Sequence, residues 1–335
     1  MQTQYVAFPA ANQVSCDSET LDTSELGNNE AVITSEASII SAGTELARLA
    51  GLEGMEFPAR PGYGMIGTIS ERGPDLDDFA DGERVFFAGK HSSAQRFTHR
   101  QGHQWGHLFR LPQDIDPVAA AVGCMAQIAI TAPNITELKQ GDTVAVFGLG
   151  LVGILAAQLY RLRGARVLGV DPVASRCELA RSVGITEVCQ AAPGDQVAAV
   201  RAWGGDGVNV CCDATGVAPA VANAIHSTAL LGQTVLLGSP RAAWESNTTD
   251  VLKAIHMNGL TVRGAHMWRF PLIEERGVDH SVERNFRVVF DLIHRGELRV
   301  RELISHVIKP KEAAATYAGL RDQPEQYRGA VIDWR

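Results

Sequence analysis

The sequence lacks the features that mark membrane, secreted and disulfide-stabilised proteins. Nowhere in the 335 residues do 18 apolar residues follow one another, and the most apolar stretch, Ala145–Ala157, contains three glycines, so we expect no membrane span. The first 20 residues contain no Lys, no Arg and no apolar block, so we expect no signal peptide. The six cysteines include no Cys-x-x-Cys pair and do not make a disulfide framework, so a reducing cytoplasm is the expected location.

Basic charge is also scarce. The 30 Lys and Arg residues against 38 Asp and Glu residues give a net charge of −8, which makes the chain a poor candidate for binding a nucleic-acid backbone. Apolar residues at 45% and charged residues at 20% are close to the average of globular proteins, so disorder and collagen-like repeats are excluded. A chain of this length exceeds one ordinary core and predicts two domains.

Residues 1–122 are rich in short runs typical of β-strands, separated by turns. Gly and Pro are dense between positions 51 and 74, and an Asp-Gly pair marks the turn before one of the strands. The region therefore predicts an irregular β domain. Its predicted strands include Val32–Thr34, Ile39–Ser41, Met65–Ile69 and Arg84–Phe86.

In residues 123–267 the pattern changes to short apolar runs that alternate with helical segments. After the first run, Val152, Leu155 and Leu159 recur three to four residues apart, which predicts a helix with one apolar face. Alternating strands and helices predict right-handed βαβ units around a parallel sheet, whose buried strands should be continuously apolar. The predicted strands are Thr143–Phe147, Val167–Val170, Glu187–Cys189, Val208–Cys212, Thr234–Leu237 and Leu260–Val262.

Residues 268–335 return to a mixed pattern. Asn285–Arg295 has the periodicity of a helix, and Leu303–Ile308 is typical of a strand. We expect this last region to rejoin the first domain. The whole sequence then predicts an α/β protein that combines an irregular β domain with a doubly wound parallel-sheet domain.

A glycine motif ends the first predicted strand of the middle region and opens the helix. Gly148 permits a tight turn, Gly150 lets the backbone approach a pyrophosphate, and Gly153 lets the helix lie close to the sheet. The first helical turn, with Leu151 and Val152, then presents free N–H groups to the phosphates. Because the strand, the motif, the helix and the next strand all match, the segment predicts a dinucleotide site rather than a ligand-free strand–helix turn.

The acidic residue after the second strand bears on the choice of dinucleotide. Asp171 lies 18 residues after Gly153, near the offset of the acid that binds the adenosine ribose. A carboxylate there accepts from the 2′-OH of NAD and repels the 2′-phosphate of NADP, so NAD is the expected cofactor. Arg176 leaves three alternatives open, since it could pair with Asp171, bridge the ribose or lie on a solvated face.

Three further strand ends are candidates for the adenosine ribose and the nicotinamide, because ligands bind beyond the carboxyl ends of parallel strands. For each of them a plain turn without a ligand is the alternative. They contribute Thr215, then Leu237, Gly238 and Ser239, and finally His266.

Together these motifs resemble the medium-chain dehydrogenase/reductase superfamily, the alcohol dehydrogenase-like proteins, over nearly the whole chain. Gly148–Asp171 is similar to the coenzyme fingerprint of that superfamily, Ser41–Glu45 to its Cys-Gly-Thr-Asp segment, and Phe57–Thr68 to the segment that leads into Gly-His-Glu. Asp81–Val85 is similar to its Gly-Asp-Arg-Val turn. The resemblance implies a GroES-like β domain, a Rossmann domain and NAD-dependent oxidoreduction.

The sequence departs from that superfamily at the catalytic zinc. The resemblance places the zinc ligands at Ala42, Tyr63 and Cys124, with Gly64 where a glutamate often follows the histidine. One retained ligand cannot build a catalytic zinc site, which needs three protein ligands. Residues 60–120 contain no cysteine, so the structural zinc lobe is missing as well. The chain thus resembles zinc-free branches, including relatives of bacteriochlorophyllide dehydrogenase with a similar Ser-x-Gly-Thr-Glu segment, and no metal is expected.

Histidines elsewhere offer a second candidate for metal binding. His99, His103 and His107 recur at four-residue spacing, which would align them on one face of a helix, but two glycines interrupt the segment. We interpret these side chains as surface histidines. The retained Cys124 is interpreted as a small buried apolar residue rather than a residual ligand.

Without zinc, hydrogen-bond donors must stabilise the charge on the substrate oxygen during hydride transfer. Tyr63 could donate to a carbonyl during reduction, or accept a proton during oxidation if its pKa fell below the ordinary value of about 10. Thr44 stands at the proton-relay position of the superfamily, and Glu45 could act as an acid or base nearby. The alternative is that Tyr63 only fills the vacated metal pocket. His266 and His306 are further catalytic candidates, each with a structural alternative.

The resemblance and these residues predict a zinc-independent, NAD(H)-dependent enzyme that interconverts an alcohol and a carbonyl on a small molecule such as a sugar, a cyclitol or a secondary metabolite. An enoyl or quinone reductase of the same fold is the first alternative, and Gly148 with Asp171 argues against it. A catalytically inactive protein that senses NAD(H) is the second alternative. The apolar last strand, Leu260–Val262, is a candidate edge for a homodimer or a dimer of dimers.

Overall fold

The computed structural model of the chain describes residues 1–52, 54–240 and 242–335, which form two compact units. The first unit contains Met1–Cys124 and Phe270–Arg335, and the second contains Met125–Arg269. The mixed α/β class predicted from the sequence is confirmed. Among the described residues, no helix combines the length and the apolar character needed to cross a membrane.

The chain up to residue 135 consists mainly of strands. These are β1 (Gln2–Ala7), β2 (Ser15–Thr20), β3 (Glu30–Ile40), β4 (Met65–Arg72), β5 (Arg84–Phe87), β6 (Ala94–Thr98) and β7 (Phe109–Arg110). The helices of this part are α1 (Ala42–Leu49), α2 (Pro117–Ala121) and α3 (Gly123–Ile135).

From residue 143 onward strands and helices alternate. The strands are β8 (Thr143–Phe147), β9 (Arg166–Val170), β10 (Glu187–Cys189), β11 (Val208–Asp213), β12 (Thr228–Leu236) and β13 (Thr261–Gly264). The helices are α4 (Leu151–Leu162), α5 (Ala174–Ser182), α6 (Gln196–Gly204), α7 (Ala218–Ser227) and α8 (Thr248–Asn258). The last part contains α9 (Val282–His294), β14 (His306–Ile308), α10 (Ala313–Asp322) and β15 (Ala330–Asp333).

The strands of the second unit form a parallel sheet in the order β10-β9-β8-β11-β12-β13. The chain starts at β8, proceeds outward to β10 and then returns to the other side of β8, so the strand order reverses between β8 and β11. The apolar residues of β8 are buried, as expected for a central parallel strand. Because ligands bind beyond the strand ends at such a reversal, this topology puts the candidate cofactor site after β8.

The main sheet of the first unit has the order β14-β15-β3-β4-β5-β7, and β6 also pairs with β3. β15 lies antiparallel to β3, with Ala330 opposite Ile40, so the last residues of the chain complete a sheet that begins near its start. This pairing brings the end of β3, where α1 begins, next to residues that are almost 300 positions away in sequence.

An aromatic cluster attaches α9 to the sheet of the first unit. The ring of Phe286 lies 4.4 Å from that of Phe86 and 4.5 Å from that of Phe109, measured between centroids. Phe290 packs against the start of α3, where a Cβ on Gly123 would lie 2.3 Å from the phenylalanine ring. Glycine at this position therefore makes room for an almost fully buried ring.

The structure joins two strands that the sequence separated. Val32–Thr34 and the residues from Ile39 belong to the single strand β3, because the more polar residues between them still pair with β4. Ser41, predicted as the end of the second strand, is instead the N-cap of α1. The Ser41–Glu45 segment is therefore the turn from strand to helix.

Two further boundaries were predicted wrongly. β12 begins at Thr228 rather than at Thr234, because Thr228 already pairs with Val208 of β11, and after an irregularity the pairing resumes at Gln233. The predicted strand Leu303–Ile308 divides into a 3₁₀ turn and β14, and the hydroxyl of Ser305 between them accepts the backbone N–H groups of Arg328 and Gly329, just before β15.

Candidate active site

The glycine loop between β8 and α4 has the close backbone approach that a dinucleotide motif requires. Gly148 has a φ of +89°, in the left-handed region that favours glycine. A Cβ on Gly153 would lie 1.8 Å from the carbonyl oxygen of Gly148, so a larger residue would push the helix away from the strand end. A Cβ on Gly150, in contrast, would meet no protein atom within 4 Å. Open space therefore lies in front of the first helical turn.

That open space fits a pyrophosphate. Gly150 is the N-cap of α4 and supplies no capping side chain, and the first turn contains no acidic residue. The N–H groups of the first turn, which includes Leu151 and Val152, are thus left for an anion, whose charge the helix dipole favours.

Asp171 holds this loop against the end of β9. Its carboxylate accepts the N–H of Leu149 at 2.8 Å on Oδ2 and the N–H of Val173 at 2.8 Å on Oδ1, and the side chain is 1% exposed. Nη1 of Arg176 lies 3.5 Å from Oδ2, so of the three alternatives for this arginine the structure shows the pairing with Asp171. An ionised carboxylate has about four lone-pair sites, so acceptor capacity remains for a ribose hydroxyl.

The candidate strand-end segment Asp213–Gly216 begins with a buried aspartate, the last residue of β11. Its carboxylate accepts the N–H and the hydroxyl of Thr215 on Oδ1 and the N–H of Gly216 at 3.0 Å on Oδ2. Its main-chain oxygen accepts the N–H groups of Leu237 and Gly238, both at 2.8 Å. Burial raises the pKa of Asp213, and these donors oppose that shift.

The structure does not place all candidate catalytic residues in one unit. His266 is exposed at the end of β13 in the second unit, as Ser239 is at the end of β12. His306 belongs to the first unit, where its ring stacks on Tyr327 with centroids 4.0 Å apart and its Nδ1 lies 2.9 Å from Oγ of Ser305. These contacts favour the structural alternative for His306.

Tyr63 lies in a cluster of hydroxyl groups in the first unit. Its phenol donates to Oγ of Ser41 at 2.5 Å, and the hydroxyl of Thr44 also bonds the phenol. The Ser41 hydroxyl is available because it makes no capping bond to α1, although Ser41 is the N-cap residue. The ring of Trp105 meets the ring of Tyr63 edge to face at 6.1 Å.

The environment of Tyr63 decides which proton transfer it suits. Burial raises the pKa of the phenol well above its ordinary value, and the nearby Cys124 thiol and Glu45 carboxylate add to that shift. The hydroxyls of Ser41 and Thr44 oppose it less strongly. A raised pKa keeps the phenol protonated at neutral pH, so the free site presents an O–H group that can donate a hydrogen bond.

Glu45 is enclosed by donors. The carboxylate is 1% exposed and accepts the N–H of Ser41, the hydroxyl of Tyr317 and a contact from Nε2 of His91 at 3.1 Å. Burial raises the pKa of such a carboxyl, but His91, Tyr317 and Ser41 together hold the pKa of Glu45 below its ordinary value. The role of Glu45 as an acid or base stays a prediction, and the structure shows a buried carboxylate whose two oxygens both accept from protein donors.

The positions that correspond to zinc ligands have changed chemistry. Ala42 carries no donor atom, and Tyr63 is a protonated phenol bonded to Ser41. Cys124 is 1% exposed, and burial raises the pKa of its thiol, which disfavours the thiolate that a metal would need. Within the described ranges, no group of three or more His, Cys, Asp and Glu side chains is arranged to hold a metal ion.

The spaced histidines lie in a turn and not on a helix. The rings of His99 and His107 are 5.0 Å apart, and both side chains line a cavity of about 400 Å³ whose lining does not include Tyr63. Burial, with the neighbouring His99 and Arg110, lowers the pKa of His107 to about 4. The prediction of surface histidines is therefore wrong for His107, which is 8% exposed.

Comparison with known proteins finds similar sequences among the dehydrogenases. The family model of the zinc-binding dehydrogenases matches residues 152–280, a part that contains none of the three zinc-ligand positions. The chain is 26% identical to (R,R)-butanediol dehydrogenase of Bacillus subtilis over 64% of this chain and 68% of that protein. It is 27% identical to D-guloside 3-dehydrogenase of Escherichia coli over 82% of this chain and 77% of that protein.

Solved structures agree in fold. A protein of Sinorhizobium meliloti 1021 assigned to the zinc-binding dehydrogenases, with NADP bound, superposes with a TM-score of 0.82 at 22% identity over 99% of both chains. This likeness shows the shared architecture of the β unit and the cofactor unit. The chain is thus similar to the alcohol dehydrogenase-like medium-chain dehydrogenases/reductases in sequence and in fold, and these relatives indicate an oxidoreductase that uses a nicotinamide dinucleotide.

Proposed function

We propose that the chain is a zinc-independent, NAD(H)-dependent enzyme that interconverts an alcohol and a carbonyl group of a small polyhydroxylated molecule. The observation that carries this proposal is the hydroxyl cluster of Tyr63, Ser41 and Thr44 at the positions of the zinc site. The names of two relatives, which act on a butanediol and a guloside, support a sugar, a cyclitol or a related secondary alcohol as the substrate class.

In the direction of carbonyl reduction, the phenol of Tyr63 gives a proton to the substrate oxygen, and in the reverse direction the same group receives it. NADH, which the glycine loop after β8 and Asp171 would hold, would supply the hydride when bound. The protonated phenol of Tyr63 donates its hydrogen to the carbonyl oxygen, which becomes the new hydroxyl group. The hydroxyl of Ser41, which accepts from Tyr63 in the free site, then turns to donate to the phenol oxygen, and Thr44 bonds the same oxygen. The pair of hydroxyls thus stabilises the charge that develops when the proton leaves.

The proposed donor is tested by Tyr63→Phe, which removes one hydroxyl and keeps the ring. We expect turnover to fall by about 10²–10⁴-fold, the usual contribution of a positioned proton donor. The dissociation constant of NADH should not change, since the cofactor loops belong to the other unit. Thr44→Val should have a smaller effect. Turnover is measured on a panel of diols, sugars and their ketones, together with a fluorescence titration of NADH.

Tyr327→Phe is the matched control, because it removes the hydroxyl of another partly buried tyrosine of the first unit. A Tyr63→Phe enzyme within about threefold of wild type, a barrier difference below about 1 kcal/mol, would show that the tyrosine only fills space.

The preference for NAD is tested at Asp171. We expect wild-type protein to bind NADH more tightly than NADPH, because the buried carboxylate repels a 2′-phosphate, and we expect Asp171→Ser to relax that preference. Arg176→Ala distinguishes the effects of Asp171 and Arg176 on this preference, because it removes the guanidinium and keeps the carboxylate. The measurement is the ratio of the two dissociation constants. Tighter binding of NADPH by the wild type would mean that Arg176 overrides Asp171, and the NADP held by the Sinorhizobium neighbour makes this comparison the decisive one.

Zinc independence is tested by elemental analysis of the purified protein. Ala42 and Tyr63 cannot supply the ligands that a catalytic zinc needs, so we expect well under one zinc ion per chain. Treatment with a chelator should leave turnover unchanged. Stoichiometric zinc that leaves the protein together with its activity would contradict the proposal.

We also propose that the chain assembles through the edge of the parallel sheet. β13 is the last strand in the sheet order, and apolar side chains near this edge are exposed, with Leu230 at 71%, Leu231 at 76% and Val262 at 37%. Edge strands and apolar patches of this kind are normally covered. A second copy of the chain would pair with the edge and cover these residues.

Light scattering at micromolar concentration should therefore give a multiple of the 36.0 kDa chain mass, as a dimer or a dimer of dimers. Leu231→Asp should shift the equilibrium towards the monomer, because it places a charge in the covered patch. Val307→Asp, at another exposed apolar residue (47% exposed) of the first unit, serves as the control. A wild-type protein of monomeric mass would count against this assembly.

A further inference from the structure

The first unit contains a buried carboxylate that the proposed proton transfer does not use. Glu45 accepts the N–H of Ser41 at 3.0 Å on Oε1, while the hydroxyl of Tyr317 and Nε2 of His91 meet on Oε2. Burying an ionised group is costly unless donors compensate it, and here they do so on both oxygens. Glu45 is 1% exposed, and every contact that the structure shows for its carboxylate is with a protein donor, so we look for its role in these neighbours.

His91 is held from its other side. The side chain is fully buried, and its Nδ1 lies 2.8 Å from Oγ of Ser38. That oxygen also accepts the indole N–H of Trp334 at 3.0 Å. An ionised carboxylate only accepts, so Nε2 of His91 carries a hydrogen that points to Glu45. The orientation of the ring is therefore determined by partners at both nitrogens.

Tyr63 is attached to the same histidine through the two residues before it. The N–H of His91 donates to the carbonyl oxygen of Pro61 at 2.9 Å. Gly62, with a φ of +107°, lies so close that a Cβ on it would be 2.6 Å from the nitrogen of His91. The segment that carries the phenol is thus packed directly on the backbone of His91.

Ser41 is attached to the other member of the pair. Its N–H is bonded to Glu45, and this bond fixes the strand-to-helix turn from which its hydroxyl projects. The donor and the acceptor of the 2.5 Å hydrogen bond between Tyr63 and Ser41 are therefore both anchored to the buried contact between Glu45 and His91.

We propose that Glu45 is a positioning residue of the active site, which sets the Ser41 hydroxyl opposite the Tyr63 phenol and affects turnover only through that hydrogen bond. His91 and Tyr317 orient the carboxylate for this task. The proposal rests on the proposed role of Tyr63 as the proton donor. It assigns to Glu45 no contact with the substrate and no proton transfer of its own.

A double-mutant cycle of Glu45→Gln and Tyr63→Phe tests the proposal, with kcat of the full chain measured on NAD(H) and the best substrate of the panel. Glu45→Gln keeps the side-chain size but turns one acceptor into an amide donor that faces another donor. We expect kcat to fall about tenfold or more, because a small misplacement of reacting groups is costly. In the Tyr63→Phe background, Glu45→Gln should lower kcat by less than about twofold, because no phenol hydrogen remains to be positioned.

Two controls accompany the cycle. Glu36→Gln removes the charge of another hydrogen-bonded carboxylate of the first unit, whose partners are Arg84 and Thr68, and should leave kcat within about twofold of wild type. The dissociation constant of NADH, measured for every variant, should stay near that of the wild type. A cofactor affinity that fell together with kcat would indicate general unfolding and overturn the positioning role.

The cycle distinguishes the two proposals. The role of Glu45 would be overturned, and that of Tyr63 left intact, by either of two results. In the first, the fold-loss of kcat in the double variant equals the product of the fold-losses in the two single variants. In the second, the Glu45→Gln enzyme has wild-type kcat. A Tyr63→Phe enzyme with wild-type kcat would overturn the proposed function itself. If Glu45→Gln fails to fold, Tyr317→Phe replaces it, because it removes one donor and keeps the carboxylate. We expect Tyr317→Phe to lower kcat less than Glu45→Gln does, and to leave kcat unchanged in the Tyr63→Phe background. An equal loss of kcat in the wild-type and Tyr63→Phe backgrounds overturns the proposal.

Discussion

The first unit of this protein, which contains Tyr63, is organised around the buried carboxylate of Glu45. Glu45 joins the start of α1, the segment at His91 and the helix that carries Tyr317, and none of these segments is adjacent to another in sequence. A buried charge without donors would favour opening of the structure, so the three segments must assemble together. The hydroxyl cluster around Tyr63 is a consequence of that assembly.

The second unit contains two buried carboxylates that accept backbone N–H groups in a similar way. Asp171 and Asp213 are both buried at the ends of parallel strands, and both accept backbone N–H groups of the loops that follow. Such loops cannot be held by a sheet ladder, because they leave the sheet where the ligand must enter. A carboxylate that accepts several N–H groups gives them a defined shape and at the same time presents a negative charge to a ribose.

Under the proposed function, the phenol of Tyr63 takes over the task that a zinc ion performs in other enzymes, the stabilisation of charge on a substrate oxygen. Burial and the neighbouring Cys124 and Glu45 raise the pKa of this phenol and keep it protonated. The family model matches residues 152–280, which contain none of the three zinc-ligand positions. A match to the zinc-binding dehydrogenases is therefore compatible with the changed residues Ala42 and Tyr63.

The sequence by itself determined the glycine loop of Gly148–Gly153 and the parallel α/β class, because both follow from residues that are near each other in the chain. It also indicated Tyr63 as the residue in the vacated position. Only the tertiary structure decided what surrounds that phenol, since His91 and Tyr317 lie 46 and 272 positions from Glu45. No local pattern relates such residues, and the pKa of a buried group depends on the packing that brings them together.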